Sequence, residues 1–366
     1  MSTKLKKIMK IILIVILAVV LICVVYLGYI FASYSRIEDN QELTVDASLS
    51  GAAKGSLETN TEYSIMTYNI GFGAYSPDYS FFMDGGTESW AFSKEAVIEN
   101  VTNAASLVES YDPDFTMMEE VDINGTRSYH VDEYELVRSV LKDYQSSMAV
   151  DYDSKFLMYP LTQPHGANKS SLALFSKYDI SSALRRSFPI SESFSKVVDL
   201  DRCYEIARVE AGNGKQLVLI TAHLSAYSED DSVRKGQLDK LFGDIQAEYD
   251  KGNYVICGGD FNHDLKLDDS TDDSTVASWA HALPRSYMGE NLRLVLDDYM
   301  GTDNVAWNTT RNADKAYDPA TSYTVTVDGF IVSDNIEVTD YEHINTGYSN
   351  SDHDPVLMKF KLKEAQ

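Results

Sequence analysis

The sequence predicts an α/β fold set behind a single membrane-spanning helix. Short β-type runs alternate with two stretches of helical periodicity over residues 63–361. The 24 Tyr and 14 Phe suit a strand-rich domain better than a helical bundle. An uncharged run rich in Ile, Val and Leu fills residues 11–31, about the length a helix needs to cross a bilayer.

Taken in order, residues 1–10 form a basic segment holding Lys4, Lys6, Lys7 and Lys10, and residues 11–33 the membrane span. Lysines before the span, and Glu38, Asp39 and Glu42 after it, place the N-terminus inside and the remainder outside the cell. The apolar run is longer than a signal-peptide core, which favours a retained single-pass anchor over cleavage near Ala32-Ser33. Residues 34–60 turn to Ser, Ala, Gly, Thr and Glu with little apolar patterning, as a flexible linker would. One domain then fills 61–366. Its strand-like runs are 64–68, 115–118, 172–175, 217–221, 254–257 and 323–332. Val97, Val101, Ala104, Ala105 and Val108 mark one face of a helix starting near Ser93. Leu238, Leu241, Phe242 and Ile245 mark another starting near Asp231, and the Asp/Ser/Thr-rich stretch 264–275 reads as a loop.

The formal net charge is −25. Such a surface repels nucleic acid at long range and argues against a processive DNA binder. A local cationic groove or a bound metal can override the average field, so a nuclease stays open. Cys23 lies in the apolar run, leaving Cys203 and Cys257 as the only pair that could bridge within the domain.

Chemistry gathers where strands end. Run 64–68 ends in Asn69, and 115–118 continues into Glu119-Glu120. Run 217–221 leads to His223, and 254–257 to Asp260 and Asn262; the next run contains Asp328, and Ser351-Asp352-His353-Asp354 precedes the last strand. Side chains leaving one edge of a sheet converge on a common pocket. Hard oxygen ligands without a thiolate cluster suit Mg²⁺, Mn²⁺ or Ca²⁺ rather than structural zinc. Carboxylates with two histidines can activate water and stabilise a phosphoryl transition state. G-x-S-x-G, P-loop and GxGxxG patterns are all absent.

Met-Thr-Tyr-Asn (66–69), Met-Glu-Glu-Val (118–121), Thr-Ala-His-Leu (221–224), Gly-Asp-Phe-Asn (259–262), Asp-Gly-Phe-Ile (328–331) and Ser-Asp-His-Asp-Pro (351–355) occur in that order. Together they resemble the signature series of the endonuclease/exonuclease/phosphatase superfamily, whose members include deoxyribonuclease-I-like nucleases, neutral sphingomyelinases and inositol-phosphate phosphatases. The resemblance implies a four-layer α/β/β/α sandwich with its site at one edge of the paired sheets. It implies that Glu120 ligates Mg²⁺ or Mn²⁺, helped by Asn69 and supported by Asp352. Asp260 would orient or deprotonate the attacking water, and Asn262 would hold the phosphate. His353 would contact the phosphoryl oxygens, with Asp328 fixing its tautomer and His223 as a second imidazole. Alternation puts Glu119 and Glu120 on opposite faces, so only one can be the ligand, and the family spacing favours Glu120.

Arg127, in a polar loop, and His165, Asn168 and Lys169, just before run 172–175, are further candidates for substrate binding. His281 and His343, outside the series, read as surface residues. Trp90, Phe81 and Phe82 could touch lipid or fold back on the domain. The expected function is a metal-dependent phosphoesterase, a monomer outside the cell, acting on a lipid head group or small phosphate ester. A nuclease of the same fold is the alternative; a silent binding module would be expected to have lost one of Glu120, Asp260, Asn262 or His353.

Overall fold

The computed structural model describes residues 2–52, 54–190, 200–225, 231–271 and 279–364. The apolar run forms a helix, α1 (Thr3–Ser33), which takes in the N-terminal lysines and is long and apolar enough to cross a membrane. Beyond it lie β1 (Gln41–Glu42), β2 (Val45–Asp46), β3 (Glu62–Asn69), α2 (Lys94–Tyr111), β4 (Phe115–Gly125), α3 (Glu133–Val140), β5 (Gln145–Asp153), β6 (Asn168–Ser176) and β7 (Ile180–Ser187). The chain continues with β8 (Cys203–Glu210), β9 (Gln216–His223), α4 (Asp231–Asp250), β10 (Tyr254–Asp260), β11 (His263–Asp264), β12 (His281–Ala282), β13 (Leu292–Leu294) and α5 (Leu296–Tyr299). It ends with β14 (Thr310–Arg311), β15 (Thr324–Val325), β16 (Asp328–Ser333), β17 (Ile336–His343) and β18 (Val356–Leu362).

Two seven-stranded sheets stack face to face, one ordered β1-β7-β8-β9-β10-β16-β13 and the other β17-β18-β3-β4-β6-β5-β2. Period-two alternation sorts their residues. In β3, Tyr63 and Ile65 join the core between the sheets, while Met66 and Tyr68 face the helices. Ser93 caps α2 by accepting from the Ala96 amide, and Val97, Val101, Ala104, Ala105 and Val108 pack with α3 over the second sheet. Leu238, Leu241, Phe242 and Ile245 of α4 join the core of the first. The layers are therefore helix, sheet, sheet and helix, as the resemblance implied. The run 323–332 is split: β15 pairs with β14, and β16 enters the first sheet beside β10. Residues 272–275 of the expected loop lie outside the described residues.

The expected linker 34–60 behaves otherwise. β1 pairs with β7 on one sheet, and β2, only two residues later, pairs with β5 on the other. Leu57 is fully buried and its amide donates to Glu210 O at 2.8 Å. Strands of two residues leave no hydrophobic period, so composition alone mistook a fastened strap for a free tether. Cys203 and Cys257 are free. They sit on β8 and β10 with β9 between, and strands two places apart lie about 9–10 Å from each other, beyond the reach of a disulfide.

Candidate active site

Strand register assembles the site. Asp260, at the end of β10, is paired with His223 of β9 on one side and with Asp328 of β16 on the other. Gly259 makes this row possible: its φ is +135°, and a Cβ there would stand 2.1 Å from Ala222 O. In the facing sheet, β3 brings Asn69 beside Glu119 of β4. The loop leading into β18 supplies Asp352 and His353, and Ser351 Oγ pins it by donating to Asn69 O at 2.8 Å.

Around Asp260 the polar groups interlock. Asn69 Nδ2 donates to Asp260 Oδ2 at 3.1 Å, and the Asn262 amide donates to Asp260 Oδ1 at 2.8 Å. Asn262 has φ +49° and its side-chain amide donates to Leu224 O at 2.9 Å. His223 Nε2 and His353 Nε2 face Asp260 Oδ2 at 3.6 and 3.8 Å. His353 Nδ1 lies 2.8 Å from Asp328 Oδ2, which fixes the tautomer with hydrogen on Nδ1. Burial alone would lower the His353 pKa, but the neighbouring Asp328 carboxylate overrides it and holds it well above the ordinary value. Burial raises Asp260, with Asp328 adding to the shift and His353 opposing it.

The neighbouring glutamates are separated by a bulge. β4 and β6 pair as Met118 with Ala173 and then Val121 with Ser171, so one extra residue stands in β4. Met118 and Val121 both face the helices, while Glu119 turns between the sheets and accepts from Thr67 Oγ1 at 3.1 Å. Burial, reinforced by Asp328 and Asp260, pushes Glu119 well above the ordinary carboxyl range. Glu120 takes φ +55°, and its side chain lines a cleft of about 500 Å³ together with Asp260, Asn262, His223, Asp352 and His353.

The donor set fits a divalent cation. Ligand atoms of Asp260, Asp328 and His353 lie within 4.8 Å of one another. Among the described residues Asp328 Oδ1 is buried without a partner. Burial drives Asp352 up to about 7; His353 opposes the shift and the negative charge of Glu120 adds to it. Crowded, partly uncompensated carboxylates of this kind are what a hard cation relieves. Glu120 and Asp352 both line the cleft, whereas the Asn69 side chain is already spent on Asp260 and the Gly71 amide.

Of the residues expected to bind substrate, Arg127, His165 and Asn168 line the cleft. Arg127 is gripped by Asp122 through two bonds of 3.0 and 2.9 Å and lies 3.6 Å from the Phe72 ring centre. His165 binds Ser89 O through Nδ1 at 2.9 Å, and burial, aided by Arg127, pulls it down to about 4, so it is neutral. Lys169 does not line the cleft, because alternation along β6 sends it to the face opposite Asn168. His343 is buried rather than exposed, with Nδ1 2.7 Å from Trp307 O.

Three residues escaped the sequence. Arg202 contacts Asp151 Oδ2 at 2.9 Å and His223 Nδ1 at 3.1 Å. Burial works to raise Asp151, yet Arg202 and His223 win and hold it below the usual value. Arg311 donates its backbone N–H to Asp352 O at 3.0 Å and lines the cleft beside it. The alternating stretch that became β5 could have revealed Asp151; nothing in the sequence marks Arg202 or Arg311. With Arg36, Arg127 and Lys155, Arg202 and Arg311 set five cations among the carboxylates of the cleft wall, which are Asp84, Glu120, Asp153, Asp201, Asp260 and Asp352.

Residues 66–353 match the endonuclease/exonuclease/phosphatase family. No curated protein matches the chain by sequence. Among solved structures the chain is similar to an endonuclease/exonuclease/phosphatase from Beutenbergia cavernae, at 15% identity and TM-score 0.56, covering 82% of this chain and 72% of that one. It is similar to ANGEL2, a 2',3'-cyclic phosphatase, at 14% identity and TM-score 0.54, over 90% of this chain and all of the other. D. rerio TDP2, solved with a single-stranded DNA product, gives 14% identity and TM-score 0.53 over 82% of this chain and all of the other.

Proposed function

The chain belongs to the endonuclease/exonuclease/phosphatase family of phosphoester hydrolases, and on that premise we propose a membrane-anchored, Mg²⁺- or Mn²⁺-dependent phosphoesterase working outside the cell on a lipid head group or small phosphate ester. The observation that carries this reading is the convergence of Asp260, His353 and His223 on one cleft that Glu120 and Asp352 also line.

Each group has work suited to its surroundings. Asp260, raised by burial and fixed by Asn69 and the Asn262 amide, takes the proton as the attacking water oxygen bonds to phosphorus. His353, kept protonated by Asp328, donates from Nε2 toward the phosphoryl or leaving oxygen as negative charge develops there. Glu120 and Asp352 would hold the cation, which supplies charge neutralisation at the phosphoryl group. Asn262 and Arg311 border the substrate oxygens on the cleft wall, each held in place by backbone carbonyls. Anchoring through α1, with the N-terminus inside, rests on its apolar length and the preceding lysines.

A nuclease is the second reading. The DNA product held by a protein of the same fold favours it, while the net charge of −25 opposes it.

The test uses the purified chain in mild detergent, stripped with EDTA and given back Mg²⁺ or Mn²⁺. Bis-p-nitrophenyl phosphate, inositol phosphates, phospholipid micelles and plasmid DNA are offered in parallel. Metal-dependent cleavage of lipid or small esters is the expected result. Nicked plasmid with inert esters would establish the nuclease, and silence on all four would overturn the phosphoesterase.

A further inference from the structure

The mouth of the cleft is built partly from the membrane helix. Ile30, Tyr34 and Arg36, at and just past the end of α1, line the same cavity as Asp260 and His353. Ile30 is the buried residue of a helix that is otherwise almost wholly bare. Leu157 and Lys155 continue the same wall.

The segment 154–165 that supplies this wall is bonded to the side of the helix. Tyr26 Oη donates to Phe156 O at 3.1 Å and accepts from the Met158 amide at 3.2 Å, and Tyr29 Oη accepts from the Phe156 amide at 3.3 Å. Tyr26 stands seven residues before the helix end at Ser33, so at a rise of about 1.5 Å per residue the segment reaches roughly 10 Å back along the helix. That is the depth at which interfacial aromatic and apolar groups sit between head groups and acyl chains.

The exposed side chains of the segment suit that depth. Phe156, Tyr159 and Leu161 are 40%, 63% and 79% exposed. No acid or base stands between residues 156 and 164. The segment is also braced from behind, since Ser89 Oγ donates to Gln163 O and Trp90 Nε1 to Pro164 O. A braced, apolar loop, uncharged from Phe156 to Pro164 and laid against a membrane-capable helix, would be poorly placed in water.

We propose that segment 154–165 dips into the outer face of the bilayer that holds α1. The cleft then opens at head-group level, and its substrate is the phosphate ester of a phospholipid in that same membrane. This deepens the phosphoesterase reading and rests on it. The wall divides accordingly: Ile30 and Leu157 meet the glycerol and upper acyl region, while Arg36 and Lys155 meet the head-group phosphate.

The test reconstitutes the chain in nanodiscs of phosphatidylcholine doped with sphingomyelin, phosphatidylglycerol or phosphatidylinositol, with Mg²⁺. Head-group release is followed beside hydrolysis of soluble bis-p-nitrophenyl phosphate. A variant carrying Phe156→Asp, Tyr159→Asp and Leu161→Asp, none of which lines the cleft, should lose at least tenfold of its lipid turnover and keep ester turnover within about twofold. In parallel, Leu161→Trp should gain fluorescence that lipids brominated along the acyl chain quench beyond the wild-type level. Ester turnover without lipid turnover, an equal loss on both substrates, or no added quenching each overturns the membrane-facing cleft while leaving a phosphoesterase. Inactivity of the wild type on both substrates overturns the phosphoesterase reading and this proposal with it.

Discussion

His353 Nδ1 donates to Asp328 Oδ2 across 2.8 Å, and the other oxygen of that carboxylate is buried with no partner among the described residues. Asp328 is thus committed to the imidazole, on a strand in register with Asp260. The pair makes the acid and the base of the proposed reaction neighbours whose protonation states oppose each other.

One prediction concerns pH. Asp328 keeps His353 protonated above its ordinary range, so the acid form survives through neutral pH and is lost only as pH climbs past the raised value. Asp328→Asn removes the raising charge, and the basic limb of the kcat/KM profile should move to lower pH, with kcat down by about 100-fold. His353→Ala should cost roughly 1,000-fold or more and flatten that limb. An unshifted limb in the Asn variant would separate Asp328 from the proton chemistry.

A second prediction separates the adjacent glutamates. Glu120→Gln should raise the Mg²⁺ concentration needed for half-maximal activity by about tenfold or more, because it removes a charged donor from the cleft. Glu119, turned between the sheets with its carboxyl pKa raised by burial, should tolerate Gln with the Mg²⁺ requirement changed less than about twofold. Metal titrations of the two variants decide the matter. The reverse order would mean that the bulge presents Glu119 instead.

Glu205 gives a prediction about stability rather than catalysis. It faces Ser147 between the sheets, accepting from the serine hydroxyl, while Oε2 lacks a partner among the described residues. Burial lifts its pKa from 4.5 to about 8. A raised folded-state value favours the fold fully below pH 4.5 and loses that contribution as pH rises through about 8. Glu205→Gln removes the dependence. The melting temperature of the variant should match wild type near pH 4.5 and exceed it by several degrees above pH 8, and a constant difference would refute the assignment.

The parts of the molecule that were legible in the sequence are those where local pattern and tertiary role coincide. Asn69, His223, Asp260 and His353 terminate or flank apolar strands, so the strand pattern located them before any packing was known. The faces of α2 and α4 were readable for the same reason, since 3.6-residue periodicity is set by burial. What stayed hidden depends on partners distant in sequence. Arg202 earns its place through Asp151, and Arg311 through Asp352 and the loop carbonyls of Ser76 and Tyr79. The direction of Glu120 depends on one inserted residue against β6, which simple alternation cannot express. Lys169 stays off the cleft for a simpler reason: residues read as a loop before run 172–175 begin β6, and alternation along that strand separates Lys169 from Asn168.

The strap between helix and domain has a practical meaning. β1 and β2 cover the outermost ladders of β7 and β5, the flanks through which sheets recruit other chains. A soluble form cut at residue 60 would bare both flanks at once. Bared flanks of that kind invite strand addition between copies. Material beginning before Ile37 keeps both flanks closed, and only such material can report what a single copy of this protein does.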